Sequence, residues 1–307
     1  MRILITSGGG AKGAFTVGAL QHLRDVLPGG FDFISGTSTG ALIAAMVAAN
    51  RLQDLENVYK TTTNSMILEP MDIVDSATSG QPYIYGTQPL LEQVKTYLTS
   101  DAYDTIMQSN TLLCLNSVCL QTGRITVFST KPINSSQAYD IIPINNFQMM
   151  IDGLMGSSNQ AAFMKPVEIG GKQYVDGGNR EVIPTRVVVN NISTEEDHEI
   201  YVLSNNPHEL VTINKTFTNI LEVLFRAITM FIQEVRENDL ETLVGFRLAS
   251  SGNVRIFYIY PEEELDRQFP TGLRFDPFRM RTWMEEGKQR AETILNQFPN
   301  GNLGLVA

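Results

Sequence analysis

The pentapeptide Gly36-Thr37-Ser38-Thr39-Gly40 constrains this chain more than any other stretch. It sits between an apolar run at 31–35 and an alanine-rich apolar run at 39–49. The first reads as a buried strand and the second as a helix buried on most sides. A serine between glycines at such a junction is the pattern of a sharp strand-to-helix turn that pushes its hydroxyl outward. Glycine suits the flanks because the turn needs unusual backbone angles and close approach of neighbouring chain. Helix capping would explain Ser38 alone, but neither glycine nor the preceding strand. Ser38 is therefore the candidate nucleophile of an acyl-serine intermediate.

A similar junction comes earlier. Residues 3–6 read as a strand, and Gly8-Gly9-Gly10-Ala11-Lys12-Gly13 turns it into a helix carrying Phe15, Ala19, Leu20, Leu23 and Leu27. Two strand–turn–helix units in succession imply a parallel sheet covered by helices. The loop also satisfies G-x-G-x-x-G, but a dinucleotide site needs an acidic residue at the end of the second strand. Here Asp32 lies near that strand's start and the Ser38 turn takes its end. A phosphate loop of the G-K-S/T type is excluded by Ala14-Phe15 after Gly13. What remains is a cradle of backbone N–H groups at a helix N-terminus, suited to an anion. For an oxyanion such donors lower a barrier by ~3–4 kcal/mol each.

Further along, 112–120 and 125–129 form an expected hairpin around Thr122-Gly123, and 167–169 with 173–175 a second around Gly170-Gly171. The second leads directly into Asp176-Gly177-Gly178. Helices are expected at 88–98, 147–163 and 278–298, and strands at 200–203 and 254–259. A long stripe of Ile220, Leu221, Leu224, Ile228, Phe231, Ile232 and Val235 reads mostly as core. Residues 64–86, with Met66, Ile67, Leu68, Pro70, Met71 and Ile73, are irregular. This stretch, the 149–163 helix and the stripe are candidates for an acyl cleft or lid. The fold class is α/β, a mainly parallel central sheet flanked by helices on both faces in three layers. Residues 1–307 read as one domain, with the motifs in 1–205 and 206–307 packed on that core.

A formal net charge of −10 argues against a nucleic-acid partner. Arg267, Arg274, Arg279, Arg281, Lys288 and Arg290 alternate with Asp266, Asp276, Glu285 and Glu286 and read as a mixed, solvated face. Cys114 and Cys119, five apart in an apolar run, read as buried thiols in a reducing compartment rather than metal ligands. With no signal-peptide pattern and no long apolar run, the expected location is cytoplasmic.

A serine needs a base. His22 reads as structural, His198 as part of a solvated turn beside Glu195-Glu196-Asp197, and His208 as the one histidine placed for a triad. Ser38, Asp176 and His208 follow the chain order of an α/β-hydrolase, although two consecutive strand–turn–helix units do not match that sheet order. Asp176, following a strand and preceding two glycines, could instead reach Ser38 directly. A non-catalytic module holding an anion on the glycine loop is a third reading.

Taken together, Ser7-Gly8-Gly9-Gly10-Ala11-Lys12-Gly13, Gly36-Thr37-Ser38-Thr39-Gly40 and Asp176-Gly177-Gly178 resemble, in order, the motifs of the patatin-like phospholipases. Ser157, Ser158, Ala161, Ala162, Phe163, Pro166-Val167 and Tyr174-Val175 also fit that pattern. The resemblance covers roughly 1–205. It implies a lipid acyl hydrolase with a Ser38–Asp176 dyad and an oxyanion hole from Gly8, Gly9 and Gly10 with the Thr39 N–H. Lys12, Gly13, Gly36, Gly40, Gly177 and Gly178 would support these motifs. It implies no cofactor or catalytic metal, and as partner a lipid or membrane-presented acyl ester met by peripheral contact. Two departures stand out: Asn179-Arg180-Glu181-Val182-Ile183-Pro184 replaces the family's frequent Asn-Asn-Pro, and Lys12 replaces a frequent arginine.

Overall fold

A computed structural model of the chain describes residues 1–70, 80, 83–214, 216–266 and 272–304. Met71, Ile73 and Arg267 lie outside the described residues. β1 (Arg2–Thr6) leads through a short turn into α1 (Gly13–Val26), and β2 (Phe33–Thr37) into α2 (Thr39–Ala48). Then come α3 (Leu52–Thr61), the paired two-residue strands β3 (Glu69–Pro70) and β4 (Tyr85–Gly86), α4 (Gln88–Tyr97) and α5 (Ser100–Gln108). β5 (Leu112–Cys119), β6 (Ile125–Ser129) and β7 (Tyr139–Pro143) precede α6 (Phe147–Ser158), and β8 (Val167–Ile169) pairs with β9 (Lys172–Asp176). The rest comprises α7 (Arg186–Val189), β10 (His198–Leu203), α8 (Ile220–Ala249), β11 (Val254–Ile259) and α9 (Pro277–Gln297).

The main sheet runs β11-β10-β1-β2-β5-β6-β7, with β9 also paired to β5. From β11 through β5 every pairing is parallel. Alternate side chains feed two cores, as the strand period of two requires. Leu4, Ile34, Leu113 and Tyr201 pack on the face covered by α1, α2, α6 and α9. Ile3, Ile5, Phe33, Cys114 and Ile200 face the other way, onto Val187 and Val188 of α7 and Leu240 and Leu243 of α8. The three-layer α/β arrangement follows from this two-sided burial.

Some elements depart from the sequence expectation. α6 stops at Ser158, because Asn159 turns extended and its side-chain amide donates to Lys165 O (2.7 Å). α3, α5 and β7 were not anticipated. α3 does carry a signal, with Leu52, Leu55 and Tyr59 on one face. The stripe on α8 is not core: Ile220 is 83% and Phe231 68% exposed, none of its described residues is buried, and apolar burial comes only further along the helix, at Leu240 and Leu243. The charged stretch near the C-terminus is also more organised than a solvated face. Asp266 is fully buried and takes ion pairs from Arg274 and Arg279, and Arg279 stacks over Trp283. Both cysteines are free and buried, and burial pushes the Cys114 thiol up. No described helix is long and apolar enough to cross a membrane.

Candidate active site

Two strand ends meet nose to nose along one edge of β5. β2 runs parallel to β5 and ends with Thr37 opposite Asn116, while β9 runs antiparallel and ends with Asp176 opposite Ser117. β6 fills the other edge at the same residues. This register, rather than any local sequence, brings Asp176 to the turn that holds Ser38.

Ser38 has φ 60° and ψ −129°, a conformation that costs a non-glycine residue ~1–3 kcal/mol and persists only when its surroundings hold it. Its N–H donates to Ser157 Oγ (3.0 Å), whose own hydroxyl donates to Asn116 O (2.5 Å). Its carbonyl accepts from Ser158 Oγ (3.3 Å). The flanking glycines are needed for space: a Cβ at Gly36 would meet Gly40 O at 2.4 Å, and one at Gly40 would meet Thr6 O at 2.3 Å. Gly177 is constrained likewise, 2.5 Å from Asn116 O by the same measure.

Asp176 is 8% exposed, and burial raises its pKa to about 6. A side-chain hydrogen bond with Ser38 and the Gly178 N–H (2.7 Å) pull in the opposite direction but do not overcome burial. A carboxylate so placed keeps much of its basicity while remaining ionised at neutral pH.

The histidines lie elsewhere. The exposed His208 packs its ring on Tyr258 and Tyr260, at 5.8 and 5.7 Å between centroids, and His22 is half-buried on α1. His198 corrects the expectation of a solvated turn: it begins β10, is 1% exposed, and lies 2.8 Å from Ser193 O through Nε2. None of the three lines the cavity that contains Ser38 and Asp176.

The glycine loop divides its labour. Gly9 (φ 157°) and Gly10 (φ 58°) border the cavity, and their N–H groups, like that of Thr39, have no backbone acceptor among the described residues. Gly8 does not match the expected donor role, because its N–H is committed to Val182 O (3.2 Å). It is needed for proximity instead, since a Cβ there would lie 3.1 Å from Ser38 Cβ. Lys12 is buried, with its ammonium paired to Glu264 (3.0 Å) and Asn206. A Cβ at Gly13 would strike the Tyr59 hydroxyl, which hydrogen-bonds Thr39 Oγ1 (2.7 Å).

These groups form the floor of a cavity of about 500 Å³. Its walls are mainly apolar, drawn from Leu42 and Met46 of α2, Leu55 of α3, Val94 of α4, Phe163, and Phe231 of α8. Each of the three expected cleft segments therefore contributes, but α2, α3 and α4 supply much of the wall. Ser157 and Ser158 pin the Ser38 backbone through hydroxyls that carry no local sequence signature. Among the described residues no group of three His, Cys, Asp or Glu side chains gathers as metal ligands.

Residues 4–196 match the family model described as patatin-like phospholipase. A "cGAMP-activated phospholipase" of Escherichia coli (strain TW11681) is 25% identical over 142 residues, 42% of this chain and 39% of the relative. A "cUMP-AMP-activated phospholipase" of Escherichia coli is 47% identical over 51 residues, 15% of this chain and 16% of the relative. The matched segments thus span well under two thirds of either relative. VipD from Legionella pneumophila superposes with a TM-score of 0.44 at 13% identity, over 96% of this chain and 66% of that one, too loosely to bear on the topology. With a model match over most of its length and the three glycine motifs gathered around one cavity, the chain belongs to the patatin-like phospholipase family.

Proposed function

We propose that this protein is a serine lipid acyl hydrolase in which Ser38 is the nucleophile and Asp176 its direct base, the whole chain acting as one unit. The observation that carries this reading is the buried carboxylate of raised pKa beside a strained serine, on the floor of a mainly apolar cavity. Asp176 takes the Ser38 proton as Oγ attacks the ester carbonyl. The oxyanion forms against the Gly9 and Gly10 N–H groups with that of Thr39, and the N-terminus of α2 adds its positive end. The alcohol or lysolipid departs with a proton from Asp176. The same carboxylate then activates water to release the fatty acid.

Hydrolysis of a long-chain acyl ester by Ser38→Ala, Asp176→Asn and each histidine→Ala variant tests the proposal. Loss of turnover in the first two with retention in the histidine variants is the expected result. Loss in His208→Ala with retention in Asp176→Asn would favour the triad esterase, and a folded wild type without turnover would favour an anion-binding module. Because the two relatives are named for activation by cGAMP and by cUMP-AMP, these are the first activators to add to the assay.

A further inference from the structure

Adjoining the apolar cavity, a second, polar cleft opens between the residues after Asp176 and α8. Asn179, Arg180 and Arg186 form one wall, and Val235, Glu241 and Thr242 the other. Asn179 and Val235 also line the apolar cavity, so the two spaces share a partition. Asn179 is fixed beside the site by its side-chain amide, which donates to Asp176 O (2.7 Å).

The cations differ sharply between the two spaces. Lys12, the one cation on the apolar cavity wall among the described residues, is already paired with Glu264. Arg180 is exposed, and its guanidinium has no hydrogen-bond or ion-pair partner among the described residues. Arg186 is partly exposed and pairs loosely with the buried Glu181, Nε to Oε1 at 4.0 Å, so among the described residues Arg180 is the unpaired cation of the cleft. Glu241 is the single acidic side chain on the cleft wall, facing the two guanidinium groups. Two guanidinium groups in one cleft suit the oxygens of a phosphate, which they bind through paired, charge-assisted N–H donors.

We propose that this cleft is a phosphodiester-binding subsite that holds the headgroup phosphate of a glycerophospholipid while its acyl chain fills the apolar cavity. The inference rests on the acyl-hydrolase reading for its substrate, but the same chemistry would also bind the phosphodiester of a free nucleotide. Arg180 lies in the stretch Asn179-Arg180-Glu181-Val182-Ile183-Pro184 and lines this wall.

The test compares a phosphatidylcholine with a diacylglycerol of identical chains in the same mixed micelles, using wild type, Arg180→Gln, Arg180→Lys and Glu241→Gln. Glycerophosphocholine and a dinucleoside monophosphate are titrated into the same proteins by calorimetry. Arg180→Gln is expected to lower the phospholipid-to-diacylglycerol ratio of kcat/KM about tenfold, the usual size of one lost charge-assisted contact. Arg180→Lys restores part of the ratio and Glu241→Gln raises it. The ratio cancels any general loss of folding or turnover. An unchanged ratio with dinucleotide binding weakened by Arg180→Gln keeps the subsite and assigns it to a soluble nucleotide. If wild type hydrolyses neither ester, the acyl-hydrolase reading fails and the titrations alone decide. An unchanged or unmeasurable ratio, together with probe affinities that do not respond to Arg180, overturns the subsite.

Discussion

Asp176 and the Glu181–Asp239 pair are carboxylates of one neighbourhood, and burial drives all three toward their neutral forms. Their surroundings differ completely. Asp176 meets a serine hydroxyl and a cavity. Glu181 accepts from Asn116 Nδ2 (2.5 Å) and the Arg186 N–H (2.7 Å), and Asp239 accepts from the Ile183 N–H (2.9 Å). Neither lines the cavity that holds Ser38. The pair ties the 181–186 segment to α8, and Val182 in that segment receives the Gly8 N–H. A raised pKa therefore reports burial in both places. What singles out Asp176 is the Ser38 hydroxyl and the open cavity beside it.

Substitution should separate the two regions most strongly in turnover. Asp176→Asn is expected to lower kcat by about 10³-fold or more, the range of a general base, while Glu181→Gln retains activity within about tenfold. Comparable losses in both variants, with native circular dichroism, would erase the distinction.

Stability should move the other way. The folded pKa of Asp176 lies above its unfolded value, so its favourable contribution is complete below about pH 4 and is lost as pH rises through about 6. Above that, the charged carboxylate costs on the order of 3 kcal/mol. Asp176→Asn should therefore raise Tm at pH 8, with the gain fading toward pH 4. A lower Tm at pH 8 would mean the carboxylate is compensated by contacts outside this account.

The pH dependence of turnover gives a third separation. The kcat/KM should rise with pH, bend near 6 as Asp176 ionises, and then level off. Glu181→Gln should leave that bend in place. A bend that moves with Glu181, or a further dependence removed by His208→Ala, would reassign the titrating group.

A last contrast, independent of the chemistry, lies within α8. Leu243→Ala should cost about 2–5 kcal/mol of stability because the residue is fully buried, and Phe231→Ala only about 0.5 kcal/mol or less because its side chain is largely exposed. Thermal melts of both variants check this contrast.

Much of the fold was legible because its constraints are local. The strand–turn–helix units around Gly8–Gly13 and Gly36–Gly40 announce a parallel sheet, since those glycines leave no room for a side chain. The Ser38–Asp176 pairing was legible only as motif order, because their meeting depends on β2 and β9 sharing one edge of β5. The commitment of the Gly8 N–H to Val182, and of Lys12 to Glu264, arises between segments distant in sequence and leaves no local trace. The exposed half of α8 misled for a similar reason: its apolar spacing matches that of the buried half, and only the sheet's extent decides which half is covered.

The central claim is most directly tested by the rate at which a fluorophosphonate labels the protein, with the adduct mapped by mass spectrometry in wild type, Asp176→Asn and His208→Ala. The account predicts an adduct on Ser38 that forms at wild-type rate without His208 and is strongly slowed without the Asp176 carboxylate. Equal labelling of Ser38 in the folded Asp176→Asn variant, or an adduct on another residue, would contradict it.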